Sequence, residues 1–548
     1  MITHLEPVMF TDALEMTLGL TINGETFDIP GANIKFLETS IHPYGFTARL
    51  SFWVSSDKSR DELFSSFVTK DLIEVKLDVA PHFEQPGTDI EPLTLQGFVA
   101  GKALLKELTI ENIQLRGDPV LYRHYQIDFA DPAFVLWRQH FPCDLLVDGS
   151  VKDLIEANKA TGVELTYDWD ILDTEFAINT LSPGAPDNGA SFYDFIIWYA
   201  ASHNGVFRYD GKENQYTLAV AKDQSGTTTA MSELEVEDHR IVFPETIRYN
   251  DRFLNAFSDD PRKSETSRDE AKEGLRRDIL LREAIASDFD DAVSLESGKQ
   301  KIREHEIFLT HRRFPLITYR PGTFVKFEGG LWSAKSFIYG NEYRVRDILI
   351  QANSANDAPD DDHNMPYTQY NIDMRSQLEL TSEEALNMPM FKAPSYPLYV
   401  EGKIVSEQGQ EEEETYQIYP HPQTELDQYR VNLPLFDDKQ VVVPFEPLFA
   451  PGHFYFPAYK NERVLVAIDF HTARIVGFLD WRPDGRLPMD TQGNHILLGK
   501  SADSNTSISH VYVNNKPQLN MKRTSSKDTE IIQLQEGTII LQTKEESS

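Results

Sequence analysis

The sequence predicts a mainly β protein with minor α content, divided among several domains. Two observations lead there. Alternating or β-branched apolar runs recur along most of the chain, punctuated by Asn-Gly, Pro and Gly. Helical periodicity is confined to a few short windows, and from residue 494 onward it is almost absent. A length of 548 residues also exceeds what one hydrophobic core usually holds.

The elements follow in order. EMTLGLTING, TARLSFWVS, DLIEVKLDVA and PLTLQGFVAG read as strands, with a short helix DELFSSFVTK among them presenting Leu63, Phe64 and Phe67. DPVLYRHYQIDFA is a further strand, and Val135, Leu136 and Trp137 open a small helical subdomain. Ser150 reads as an N-cap for SVKDLIEANKA, with Asp153 at the capping-box position and Val151, Leu154 and Ile155 facing inward. A second helix, SFYDFIIWYAASHNG, places Phe192, Phe195, Ile196 and Tyr199 on one face and stops at Gly205. VFRYDGKENQYTLAVA then reads as a hairpin. Between about 258 and 304 the chain is highly charged, and Ala271, Leu275 and Ile279 at four-residue spacing predict a helix. Strands resume at EIFLTHRRF, TFVKFEG and RVRDILIQA. Residues 353–400, rich in Pro, Asp and Asn, read as an extended linker. TYQIY, YRVNLPL, RVLVAIDF and RIVGFLDW suit a small barrel of the oligonucleotide/oligosaccharide-binding (OB) type.

In the tail, EIIQLQEG is followed at once by TIILQTKE, an eight-residue offset aligning Ile531 with Ile539 and Ile532 with Ile540. A short period of this kind suits stacked rungs of a β-helix. One chain with so few rungs has nothing to close its core, whereas three chains about one axis do, so the tail predicts a homotrimer. The candidate core residues are Ile531, Ile532, Leu534, Ile539, Ile540 and Leu541.

Composition excludes several classes of function. Fifty-two basic and 87 acidic side chains give a net charge of −35, a field that repels nucleic acid and anionic membrane surfaces. Cys143 is the only cysteine, so no intrachain disulfide forms, and its apolar context predicts a buried, inert thiol. No secretory signal is visible, and no stretch approaches the about 20 apolar residues of a membrane helix. His305 and His311 are six apart rather than the four a zinc-protease helix needs, so packing is expected of them. His421, His453, His471 and His495 are scattered. Asp360–Asp362 lacks the glycine and glutamate of an EF-hand loop, and Glu411–Glu414 reads as a charged connection that discourages edge pairing. Trp137, Trp198 and Trp481 sit in apolar periodic segments and are expected in cores rather than on a sugar-binding face. No catalytic residue, cofactor or metal is expected.

Taken in order, these pieces resemble the VgrG-type spike family of type VI secretion and its relatives in phage tails and extracellular injection systems. QGFVAG, YRHYQIDF, GSVKDLIEA, SFYDFIIWYAASHNGVFRYDG and YRPGTFVKFEG are similar to its hub half. YRVNLPL, APGHFYFPAYKNERVLVAIDF and RIVGF are similar to its barrel half, with Phe456-Pro457, Glu462, Val464, Val466 and Gly477 in corresponding places. The usual Gly-Asp turns read Lys460-Asn461 and His471-Thr472 here. The resemblance implies a hub of two β-barrels with helical insertions over residues 1–385, a linker over 386–400, an OB-fold domain over 401–485 and a trimeric β-helix spike over 486–548. It implies a structural rather than enzymatic role, assembly in a bacterial cytoplasm or phage-like particle, and ejection. The implied partners are an inner tube protein, baseplate components, an effector, and a PAAR-type tip protein seated on Ile539, Ile540 and Leu541. The phage T4 relative carries a lysozyme between barrel and β-helix, whereas residues 482–494 are far too few to house one. A β-rich carbohydrate-binding or adhesin module is the competing reading.

Overall fold

The computed structural model describes residues 9–545 apart from 57–61, 83–89, 111–118, 183, 185–188, 258–261, 284, 300, 412, 414, 422–426, 446–456, 480–492 and 502. His453, Phe456 and Trp481, and nearly all of the 482–494 connection, lie outside the described residues. The chain forms two compact units. The first comprises Met1–Cys143, Val151–Thr174 and Ser182–Ser395, and the second Asp144–Ser150, Glu175–Leu181 and Tyr396–Ser548. Strands dominate both, as the sequence predicts.

The first unit is organised by β1 (Phe10–Ile22), β2 (Ile34–His42), β3 (Gly45–Ser56), β4 (Ile73–Pro81), β5 (Leu93–Ile110), β6 (Val120–Ala130), β7 (Glu342–Ser354) and β8 (Tyr367–Leu380). They pair in the order β7-β2-β3-β6-β5-β4-β1-β8, and β8 returns to β7, so the ring closes with every neighbour antiparallel. Alternation decides its interior. Leu14, Met16, Leu18, Leu20 and Ile22 are the buried face of β1, and the register sets Met16 beside Val79, Leu18 beside Leu77 and Leu20 beside Val75.

Strands β7 and β8 also belong to a second set. Phe324–Lys326 and Thr228–Ala230 continue the sheet from β7, and Glu306–His311 and Val236–Val242 continue it from β8. Residues 367–380 are therefore a central strand, which corrects the extended linker expected over 353–400. The polar residues of β8 that misled are satisfied in place. Glu379 accepts from Arg344 at 2.7 Å and from Lys222 at 2.9 Å, Ser376 bonds His311 at 2.8 Å, and Asp373 pairs with Arg375 at 2.8 Å. The strand Arg276–Leu281 runs through the end of the helix expected around Ala271–Ile279, and the helix of this region lies further on, at Ala286–Gly298. The spacing that suggested a helix coincides with a two-residue alternation of half-buried Ile279 and Leu281.

The helical insertion behaves as expected. The helix Phe192–Ser202 starts at a capping box in which Asp194 N–H donates to Ser191 Oγ at 3.2 Å and Ser191 N–H donates to Asp194 Oδ2 at 2.9 Å. Phe192, Phe195, Ile196 and Tyr199 are all buried, as is Trp137. Asp131, fully buried, ties the insertion to the ring: it accepts from Phe46 N–H at 3.0 Å, Phe134 N–H at 2.9 Å and the Tyr216 hydroxyl. Burial pushes its carboxyl up to about 6 despite those donors. His305 and His311 are buried in packing roles, whereas Cys143 is exposed, contrary to the buried thiol expected. The FPCDLL context is apolar only in sequence, since Phe141 is itself exposed.

In the second unit, β9 (Leu398–Val405), β10 (Asp427–Leu433), β11 (Lys439–Pro444), β12 (Arg463–Ile468) and β13 (Ala473–Phe478) pair in the order β11-β10-β9-β12-β13. A parallel bridge between Phe445 and Ile475 brings the two ends together, giving the five-stranded ring typical of OB-type barrels. The paired segments Asp144–Ser150 and Glu175–Leu181 insert Leu145 and Ile178 into the core built by Val400, Val431, Val443 and Val466. Thr180 N–H donates to Phe470 O at 3.1 Å, and the Tyr396 hydroxyl donates to Thr180 O at 2.6 Å.

Candidate assembly face

The tail folds as an antiparallel meander of β14 (Asn494–Ser501), β15 (Ser504–Val513), β16 (Lys516–Ser525), β17 (Asp528–Gln535) and β18 (Thr538–Lys544). Two-residue connections fix the register. Asn514 and Asn515 both take positive φ, 52° and 63°, as a type I′ hairpin turn requires. The eight-residue offset of Ile531 and Ile539 is not a pairing here. Instead Ile532 lies opposite Leu541, and Leu534 lies opposite Ile539.

That register sorts the six candidates by face, because successive side chains point to opposite sides. Ile532, Leu534, Ile539 and Leu541 share one face, and Ile531 and Ile540 lie on the other. On the first face the cross-strand partners line up in rows spanning all five strands. The central row is Ile496, Ile508, Met521, Ile532 and Leu541, one aliphatic side chain per strand. One flanking row is Asn494, His510, Leu519, Leu534 and Ile539, and the other is Leu498, Thr506, Arg523, Glu530 and Thr543. Ile496, Leu498, Ile508, Leu519 and Met521 were missed in the sequence, although each occupies the alternate position that the period of two assigns.

This face is open. Ile539 is 71% and Leu541 74% exposed, and Ile496, Leu498, Met521, Ile532 and Leu534 are exposed as well. The opposite face intersperses Leu497, Val511, Val513, Ile531 and Ile540 with polar side chains, several of which bond one another. Gln518 Nε2 donates to Asn520 Oδ1 at 2.8 Å, Asn520 Nδ2 to Ser509 Oγ at 3.4 Å, and Gln533 Nε2 to Gln535 Oε1 at 2.8 Å. A sheet whose aliphatic side chains concentrate on one uncovered face is built to be covered.

Among the described residues no group of three or more His, Cys, Asp or Glu is placed to hold a metal ion. A cavity of about 560 Å³ in the first unit is lined by cations that already have partners. Arg344 and Lys222 share Glu379, Arg320 and Lys212 share Glu91, and Arg208 meets Asp223. No helix among the described residues is long and apolar enough to cross a membrane.

No protein-family model matches the sequence, and no curated protein does. Solved structures do. A chain of the lidless PdpA–VgrG complex superposes over 99% of this chain and 100% of its own length, with a TM-score of 0.71 at 13% identity. The fold is that of a PdpA–VgrG complex chain. The half-lidded Francisella PdpA–VgrG complex gives a TM-score of 0.70 at 15% identity, over 97% of this chain and 88% of that chain. The lidded form gives 0.70 at 13% identity, over 99% and 81%. The resemblance to VgrG-type spikes read from the sequence is borne out at the level of fold. Both units take part in the PdpA–VgrG likeness, because it spans nearly the whole chain.

Proposed function

We propose that this chain is the hub-and-spike subunit of a contractile injection machine, working as a homotrimer and by mechanics rather than chemistry. The observation that carries the reading is the open aliphatic face of β14–β18 in a chain folded like a PdpA–VgrG complex chain. Three copies, each turning its central row toward a common axis, form a closed core with the amide-rich faces outward. Taking one half-exposed aliphatic side chain to full burial contributes on the order of 1 kcal/mol. Five levels of three such side chains contribute roughly 15 kcal/mol, a gain of the same order as the ordering cost that association must offset.

In this reading residues 1–385 are the hub that meets an inner tube protein and the baseplate, 386–400 a linker, 401–485 the OB-fold domain and 486–548 the trimeric spike. The outermost strand, β18, keeps one free edge in each copy and offers Ile539, Ile540 and Leu541 to a PAAR-type tip protein. An effector is carried as cargo, and the spike leaves a bacterial cytoplasm or phage-like particle when the machine fires. The test is the native mass of the full chain by light scattering. Three times 62.6 kDa is expected; a stable monomer at micromolar concentration overturns the reading.

A further inference from the structure

The central row is uniform: every strand contributes an aliphatic residue, Ile496, Ile508, Met521, Ile532 and Leu541. Uniformity gives cohesion without alignment. If one copy slides along its neighbours by two strands, roughly 10 Å, strand direction is restored and aliphatic groups again meet aliphatic groups. Something else on that face must therefore set the register.

Arg523 and Glu530 are the one oppositely charged pair among the three rows, and they face each other across β16 and β17 with Arg523 Nη1 donating to Glu530 Oε1 at 2.9 Å. The second oxygen, Glu530 Oε2, is buried and has no hydrogen-bond partner in the single chain. A carboxylate oxygen shielded from water without a donor is costly, and it marks a bond that the isolated chain does not complete. The pair occupies only two adjacent strands of the row, with Thr506 and Thr543 on either side.

We infer that Arg523 and Glu530 are register-determining residues of the trimer, with Glu530 Oε2 accepting a hydrogen bond from a second copy of this chain. This rests on the trimeric reading above. In register, the Arg523–Glu530 levels of the three copies coincide and a neighbouring guanidinium is within reach of Glu530 Oε2; slipped by two strands, Glu530 meets Thr506 and Arg523 meets Leu498 or Thr543, so a neutral hydroxyl or methyl group replaces the charged partner from the second copy. The pair thus acts against misalignment more than for cohesion, as buried polar groups do in other assemblies.

The test uses the full-length chain carrying Cys143→Ser, Ile508→Cys and Ile532→Cys, oxidised and mapped by mass spectrometry. Residues 508 and 532 sit two strands apart, so aligned copies give only 508–508 and 532–532 links between chains, whereas slipped copies give 508–532 links. Homotypic links alone are expected in this background. Adding Arg523→Leu with Glu530→Leu is expected to raise the heterotypic fraction at least tenfold while the mass stays trimeric. Glu530→Gln, which keeps the shape, is expected to do so to a smaller degree and covers the case in which the double variant fails to fold. Heterotypic links already present in the first background, or absent from both variant trimers, overturn the inference. A monomeric mass with no links between chains overturns the trimeric reading instead.

Discussion

The eight-stranded ring of the first unit and the five-stranded tail sheet use the same period of two, yet their apolar faces end differently. In β1, Leu14 through Ile22 are covered because β8 returns to β7 and the sheet closes on itself. In β14–β18 the edge strands never meet, so an equally regular aliphatic face stays open. Closure, rather than hydrophobicity, separates a region that is complete in one chain from a region that needs others.

The strongest way to break this comparison is to charge the open face. Ile532→Asp is expected to abolish trimer formation, read as a fall in native mass, while ring strands keep their hydrogen-exchange protection. Ile531→Asp, one position away on the opposite face, is expected to leave the mass unchanged; equal damage from both would show that the faces are assigned wrongly. Inside the ring the outcome reverses. Leu18→Ala removes a fully buried side chain and is expected to cost about 2–5 kcal/mol in thermal or denaturant unfolding without altering subunit number. Gly97→Ala tests ring closure more gently. A Cβ there would stand 1.9 Å from Ala130 O, so the β5–β6 pairing must shift, at a cost of about 1–3 kcal/mol in the same assay.

The smallest expected effect is on pH, and it belongs to the first unit. Burial lowers His311 from 6.5 to about 4, so its neutral form is favoured in the fold. That is worth about 3 kcal/mol above pH 6.5 and is lost as pH falls toward 4. Asp131 runs the other way: raised from 3.8 to about 6, it disfavours the fold at neutral pH and is relieved over the same range. His124, His203 and His363, all lowered chiefly by burial, tip the balance toward lower stability in acid. Thermal unfolding of the ring is expected to begin at lower temperature at pH 5 than at pH 7. A higher melting temperature at pH 5 would show that Asp131 outweighs the histidines.

What the sequence made legible follows from which signals are local. The alternation of β1 and the capped, four-residue spacing at Ser191–Tyr199 are written within a few turns of chain, and both elements form as read. Strand β8 was hidden because its partners are remote: Ser376 and Glu379 look like linker residues until His311, Arg344 and Lys222 arrive from elsewhere. In the tail, the repeated Ile-Ile pair drew attention to an eight-residue offset, whereas the adjacent asparagines at 514 and 515 carried the real instruction, a tight reversal. Four of the six candidate residues fall on the open face. Ile531 and Ile540 do not, because an antiparallel turn inverts the side to which a repeated dipeptide points.

The paired segments Asp144–Ser150 and Glu175–Leu181 have one more consequence. Because they belong to the second unit while their flanks belong to the first, the backbone passes between the units after residues 143, 150, 174, 181 and 395. The chain therefore runs between the units by several covalent paths rather than through a single linker. Extracting Leu145 and Ile178 from the barrel core would have to accompany any separation of these paths.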